Sequence, residues 1–403
     1  MKFIIGALFG SFCLIAVSVA AAVTVSESKD AAGNARVTME NEYIALTVVP
    51  AHGGMATGFT CKKTGNQWVM PDSSGQNLAG LFADHIRPLA VWPGECMSAR
   101  YDYQIVRNGP ESATVKLWYR MKADGPADSV TGLKVEKEIT LKALAPFVAC
   151  KITVANDTAQ PKRFSYWLQH AFVKLGTSRD KNYYYRPSDR GIRITYWESV
   201  WPTKIIKGEA YIDDPAAGWS GAVNPKDGEG FVSLMDLSVL AQLYNCTPNN
   251  TIEWFYKDVS LKPDERWSTE FIGRPTFGFT SYAYASRNLI AATKAAAADN
   301  AVTVVQSLAA MEQAVPDEIT CQVKLCSFPE RKELAVQKVQ FAGLGLEAES
   351  KTLTFSGLQP EGVTVVQVEI VGKNLRETYE TYFDPANKEK AYYSQTDYRR
   401  ETK

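Results

Sequence analysis

The stretch Ala149-Cys150-Lys151-Ile152-Thr153-Val154-Ala155-Asn156-Asp157-Thr158, resumed after Pro161 by Phe164-Ser165-Tyr166-Trp167-Leu168-Gln169-His170-Ala171-Phe172, reads as two β-strands around a polar turn. β-Branched and aromatic residues fill both runs, and Asn156, Asp157 and Pro161 interrupt them. Successive side chains of a strand point to opposite faces. Tyr166, Leu168, His170 and Phe172 therefore share one face, and Trp167, Gln169 and Ala171 the other. His170 is either lodged among aromatic neighbours or opens into a pocket they line.

The same pattern extends in both directions. Tyr43 to Val49, ended by Pro50 and the Gly53-Gly54 pair, is a strand followed by a turn. Ala113 to Met121, Leu133 to Leu141, Gly191 to Trp197, Gly230 to Met235, Val239 to Tyr244, Thr251 to Tyr256 and Trp267 to Ile272 are further strand candidates. Amphipathic helix is almost absent. This predicts an all-β fold: one large antiparallel two-sheet sandwich over 23–280, longer than a seven-stranded immunoglobulin-like domain. Residues 281–300 are expected to link it to a smaller Ig-like sandwich over 301–375. Within the linker the alanine run from Ser286 to Ala298 permits a helix capped by Ser286, or a short strand followed by a loop. The tail, 376–403, mixes charges with tyrosines and is expected to be poorly ordered. All nine Trp lie between Trp68 and Trp267 and all three His between His52 and His170, which marks the first domain as the place for chemistry.

Met1-Lys2, the apolar run Phe3 to Ala22 and the closing Ala20-Ala21-Ala22 have the order of a signal peptide over 1–22. A periplasmic or secreted protein without a stable membrane span after cleavage is the expectation, with an uncleaved anchor as the alternative. Outside Cys13 six cysteines remain, an even number that permits disulfides in an oxidising compartment. No C-x-x-C pair exists, and three histidines make a His-rich metal site improbable, so no metal and no cofactor are expected. The 44 Lys+Arg balance the 44 Asp+Glu, which removes the electrostatic case for nucleic acid or an anionic membrane as partner.

A second segment carries chemistry. In Thr251-Ile252-Glu253-Trp254-Phe255-Tyr256 a carboxylate stands in an aromatic strand, where burial is costly unless the group is paired or used. Burial raises such a pKa, which suits a proton-transfer group.

Three pieces together resemble a known family. Asn41-Glu42-Tyr43-Ile44-Ala45-Leu46-Thr47-Val48-Val49-Pro50 with Gly53-Gly54 is similar to the opening of galactose mutarotase-like (aldose 1-epimerase-like) domains. Leu168-Gln169-His170-Ala171-Phe172 resembles the family's His-Pro-Tyr-Phe-type segment, with Ala171 in place of Pro. Ile252-Glu253, followed by Leu261-Lys262-Pro263-Asp264-Glu265-Arg266-Trp267, resembles its late glutamate and Leu-x-Pro-Gly-Glu turn, with Asp264 in place of Gly. The resemblance implies a sugar substrate, His170 as general acid and Glu253 as general base, sharing a pocket. Around them His85, Arg87, Trp92, Gln169, Trp197, Trp201 and Trp254 are the candidate substrate-binding residues, aromatic faces for sugar rings and polar groups for hydroxyls.

The expected function is thus an exported carbohydrate-active protein that binds a sugar or polysaccharide, with aldose 1-epimerase-like acid/base activity as its sharper form. A non-catalytic carbohydrate-recognition module and a polysaccharide lyase or glycosidase-associated domain are the alternatives. The discriminating observation is whether His170 and Glu253 converge on one pocket; separate faces leave the recognition module.

Overall fold

Strand-forming runs with one apolar face become sheets by laying those faces together. In the computed structural model, which describes residues 22–70, 78–87, 94–122, 130–171, 173–178, 182–188, 191–196, 211–213, 215–246, 249–360 and 362–385, this happens twice. The expected signal segment, apart from Ala22, lies outside the described residues, among which no helix is long and apolar enough to cross a membrane.

The larger sandwich packs a ten-stranded sheet on a nine-stranded one. The first runs, from edge to edge, through Thr24–Lys29, Ala35–Glu40, Ile44–Val49, Met55–Cys61, Gly80–Arg87, Lys162–Ala171, Ile252–Leu261, Leu240–Tyr244 and Tyr211–Asp213, with the short Asn66–Gln67 pairing beside Met55–Cys61. The second is centred on Arg266–Phe277, flanked by Val148–Ala155 and Glu229–Met235. All strand pairs are antiparallel. Phe59, Trp68, Phe82, Phe164, Leu168, Phe231, Trp254 and Phe271 meet between the sheets in one continuous apolar core.

Two turns place the site strands. Gly53, at φ +60°, lies so close to the carbonyl of Met97 that a Cβ would stand 2.4 Å from it, and no other residue fits. Asp264 adopts φ +63°, the left-handed conformation that glycine takes most readily and that Asp tolerates.

Inside the core a charged pair is fully enclosed. Lys137 Nζ lies 2.6 Å from Asp84 Oδ2, both side chains without exposure. The ammonium also donates to the carbonyls of Gly53 and Phe82, while Asp84 accepts the hydroxyls of Tyr101 and Tyr166. Burying two charges costs several kcal/mol each, and only this saturation of donors and acceptors makes it tolerable.

The second sandwich pairs Tyr284–Ala285, Leu289–Ala298, Ala301–Ala310 and Glu349–Ser356 against Glu333–Phe341, Ile319–Ser327, Thr364–Gly372 and Leu375–Phe383. Two boundaries move. The alanine run assigned to the linker is neither helix nor loop: Leu289–Ala298 is a full strand, paired residue for residue with Ala301–Ala310. Alanine prefers helix, but its small side chains alternate here between core and solvent against a β-branched partner, and the pairing overrides propensity. The expected tail likewise contributes Leu375–Phe383 to the sheet, burying Tyr379, Tyr382 and Phe383. The two sandwiches share one apolar cluster, in which Tyr185, Ile194, Trp219 and Val232 meet Leu289, Val304, Leu308 and Phe383.

Candidate functional site

The outward face of the ten-stranded sheet carries a cleft of about 720 Å³. Five adjacent strands build it by register alone. Trp167 stands opposite His85 on one side and Phe255 on the other; Gln169 stands opposite Glu253, and Glu253 opposite Tyr244. Beyond them Tyr211 pairs with Tyr244 and Asp213 with Gln242. A bulge between Ser165 and Trp167 adjusts the register at the centre of the face.

The aromatic members form a stacked floor. His85 lies parallel to Trp167 at 3.8 Å, Trp167 parallel to Phe255 at 4.8 Å, and Tyr211 parallel to Tyr244 at 4.2 Å between ring centres. The Arg87 guanidinium sits over the Phe255 ring at 5.6 Å. Such a floor offers flat apolar area beside polar groups.

Glu253 is the chemical centre of the cleft. Its Oε1 accepts hydrogen bonds from Gln169 Nε2 at 3.1 Å and from the Thr251 hydroxyl, whereas the buried Oε2 has no partner. Burial pushes its pKa up to about 7, against the hydrogen bonds from Thr251 and Gln169 and the nearby indole N–H of Trp167, which lacks normal hydrogen-bond geometry. Gln169 is itself oriented by His85, whose Nε2 lies 3.2 Å from Gln169 Oε1. Burial lowers His85 to about 4, so its imidazole is neutral and donates from Nε2 to the amide oxygen. His85 thus supports the cleft through its contact with Gln169 and its stacking on Trp167.

His170 is not in this cleft. The expectation that it shares a pocket with Glu253 is corrected by the parity of its strand: His170 stands opposite Ile252, so its side chain enters the sandwich interior while Glu253 faces outward. There its ring lies edge-on among Phe82, Phe231, Trp254 and Phe271, at 4.8 to 5.8 Å between centres. Its Nδ1 accepts the backbone N–H of Phe82 at 2.9 Å, and burial drives the pKa down to about 3. Trp254 is corrected for the same reason. Adjacent to Glu253 in sequence, it points to the opposite face, is fully buried, and donates its indole N–H to Ser220 across the core at 3.1 Å. Arg87 and Gln169 do line the cleft. Trp92, Trp197 and Trp201 lie outside the described residues.

Residues that sequence reasoning missed are Trp167, Phe255, Tyr211, Tyr244, Gln242 and Thr251. The signal was available for three of them. Trp167 shares parity with Gln169, and Thr251 and Phe255 share it with Glu253, so a strict alternation count from Gln169 and Glu253 selects them over Trp254. Tyr211 and Tyr244 come from strands whose adjacency no local pattern encodes. All six cysteines after Cys13 are free thiols, Cys246 half-buried at the cleft and the rest buried. Among the described residues no group of His, Cys, Asp and Glu is arranged to hold a metal ion.

No protein-family model and no curated protein matches the chain. Galactose mutarotase-like proteins are among the solved structures to which it is similar. One, from Clostridium acetobutylicum, has 11% sequence identity and a TM-score of 0.44, over 64% of this chain and 99% of that one. Another, from Lactobacillus casei, has 11% sequence identity and a TM-score of 0.40, over 60% of this chain and 99% of that one. A TPR-domain containing protein from Parabacteroides distasonis has 14% identity and a TM-score of 0.44; 60% of this chain spans 47% of its length.

Proposed function

We propose that the protein is a carbohydrate-recognition protein that holds a sugar on the outer face of its larger sandwich, over Trp167 and Phe255. The observation that carries this reading is the separation of the two groups from which acid/base catalysis was expected. His170 is sealed in the core, while the aromatic floor and the polar groups Arg87, Gln169, Gln242 and Glu253 collect on the opposite face. Stacked rings match the C–H faces of a pyranose, and the polar groups match its hydroxyls.

The test is titration of the purified chain with a sugar panel, run beside NMR measurement of anomer interconversion. Saturable binding that Trp167→Ala weakens, with anomerisation no faster than in buffer, is the expected result. A second reading keeps chemistry at the cleft, because Glu253 has an unpartnered oxygen and a pKa near neutrality. Anomerisation accelerated by the wild type and abolished by Glu253→Gln would establish that reading instead. We also propose export, supported by the order of the first 22 residues; N-terminal sequencing of mature protein that begins at Met1 would contradict it.

A further inference from the structure

We propose that the ligand of the cleft is an acidic oligosaccharide whose anionic group is read by Arg87. The inference rests on the carbohydrate reading above and adds the ligand's length and charge.

Length follows from a second cleft, of about 560 Å³, on the same sheet. It shares Arg87, Gln242 and Phe255 with the first, so the two form one groove with these residues at its waist. Each volume falls within the roughly 300–1,000 Å³ that a small-molecule site occupies by itself. The groove follows the strand Ile252–Leu261: Thr251, Glu253 and Phe255 line the first cleft, and Lys257 continues into the second. At ~3.3 Å per residue, Thr251 to Lys257 spans about 20 Å, a length suited to consecutive rings rather than one.

Charge follows from which cations are already engaged. Arg163 pairs with Asp258 at 2.7 Å, and Lys257 Nζ donates to the Ser238 carbonyl at 2.9 Å. Arg87, at the waist, enters no ion pair or hydrogen bond among the described residues; its guanidinium carbon lies 5.6 Å from the centre of the Phe255 ring. A guanidinium in cation–π contact retains its N–H groups as a fork for a planar anion. The groove's carboxylates do not occupy that fork. Glu253 is engaged by Thr251 and Gln169, and Asp213 accepts the Gln242 amide at 2.6 Å. A carboxylate or sulfate ester on a ring stacked at Phe255 would complete it.

The experiment is calorimetric titration of the full chain with four ligand sets: neutral oligosaccharides, uronic-acid oligosaccharides and sulfated oligosaccharides of equal length, and the matching monosaccharides. The expected result is preference for an acidic oligomer over its neutral counterpart and over the monomer, by roughly 10- to 100-fold, the range of one charge-assisted hydrogen-bonded contact. The better of the two acidic sets identifies the group. Arg87→Gln should remove the preference, weakening the acidic oligomer by roughly 10- to 100-fold and the neutral one far less, with thermal stability unchanged, and Arg87→Lys should restore only part of it, since an ammonium lacks the fork. Neutral and acidic oligomers bound equally well, or a preference that survives Arg87→Gln, would overturn the inference and leave carbohydrate recognition standing. Failure of every sugar to bind would overturn both.

Discussion

The placement of His170 and Glu253 on opposite faces makes a prediction about acid stability that is independent of any ligand. His170 and His85 are held neutral by burial, with pKa values near 3 and 4, against 6.5 for the free side chain. Glu253 is shifted the other way, from 4.5 to about 7. Between about pH 4.5 and 6.5, unfolding therefore takes up one proton at each of the two histidines and releases one from Glu253. For these three groups together the unfolded state binds one more proton, so they make stability rise with pH by about 1.4 kcal/mol per unit; His52, which burial also shifts down, adds equally to wild type and variants. Replacing His170 by Asn supplies an oxygen acceptor for the Phe82 N–H and removes the titration. The wild-type-minus-variant difference should then grow by about 1.4 kcal/mol for each pH unit raised, because the variant loses its net proton uptake and its dependence flattens. Glu253→Gln should do the opposite, steepening the dependence to about 2.7 kcal/mol per unit. At neutral pH His170→Asn should be less stable by roughly 2–3 kcal/mol, since the smaller side chain leaves a gap among four aromatic rings. Urea midpoints followed by tryptophan fluorescence at half-unit pH steps measure all three slopes, provided the m-values stay equal. A His170→Asn variant with the wild-type slope would refute the burial argument, as would one that remains folded and loses sugar binding.

Three further outcomes follow from the packing. Trp167→Ala should weaken sugar binding by about 1–3 kcal/mol, read by the same titrations, because it removes the central ring of the floor. Asp84→Asn should destabilise the fold by about 3–5 kcal/mol in urea melts by stranding the Lys137 ammonium, and adding Lys137→Met should recover much of that loss. The buried thiols of Cys61, Cys96, Cys150, Cys321 and Cys326 should resist alkylation in native buffer and react only with denaturant, as mass spectrometry of the labelled chain would record.

Much of the fold was legible because it is written in short-range alternation. Runs such as Phe164 to His170 declare both a strand and which side chains share a face. The resemblance pointed to Glu253 and to the segment around His170, and it implied that the two share one pocket. Here the alternation along each strand, combined with the pairing of Gln169 to Glu253 and of His170 to Ile252, sends them apart. Trp254 failed the same test beside Glu253. What no local pattern carried was sheet order: Tyr211–Asp213 and Leu240–Tyr244 complete the cleft because they pair beyond Ile252–Leu261. The alanine strand was hidden for a different reason, since its conformation is imposed by Ala301–Ala310 rather than by its own composition.

The junction between the sandwiches has a consequence for how such a protein can be assembled over evolutionary time. Arg274, on the central strand of the larger unit and almost without exposure, donates to the carbonyls of Ala310 and Leu346 in the smaller one. Around it the apolar cluster runs through both units without a break. A domain joined by a flexible tether can be gained, lost or exchanged between genes with little effect on its neighbour. Here recombination at the border would leave a guanidinium without acceptors and an apolar wall open to water on each fragment. A change on one side of this junction is therefore felt on the other, and the two sandwiches are coupled in stability as one folding unit.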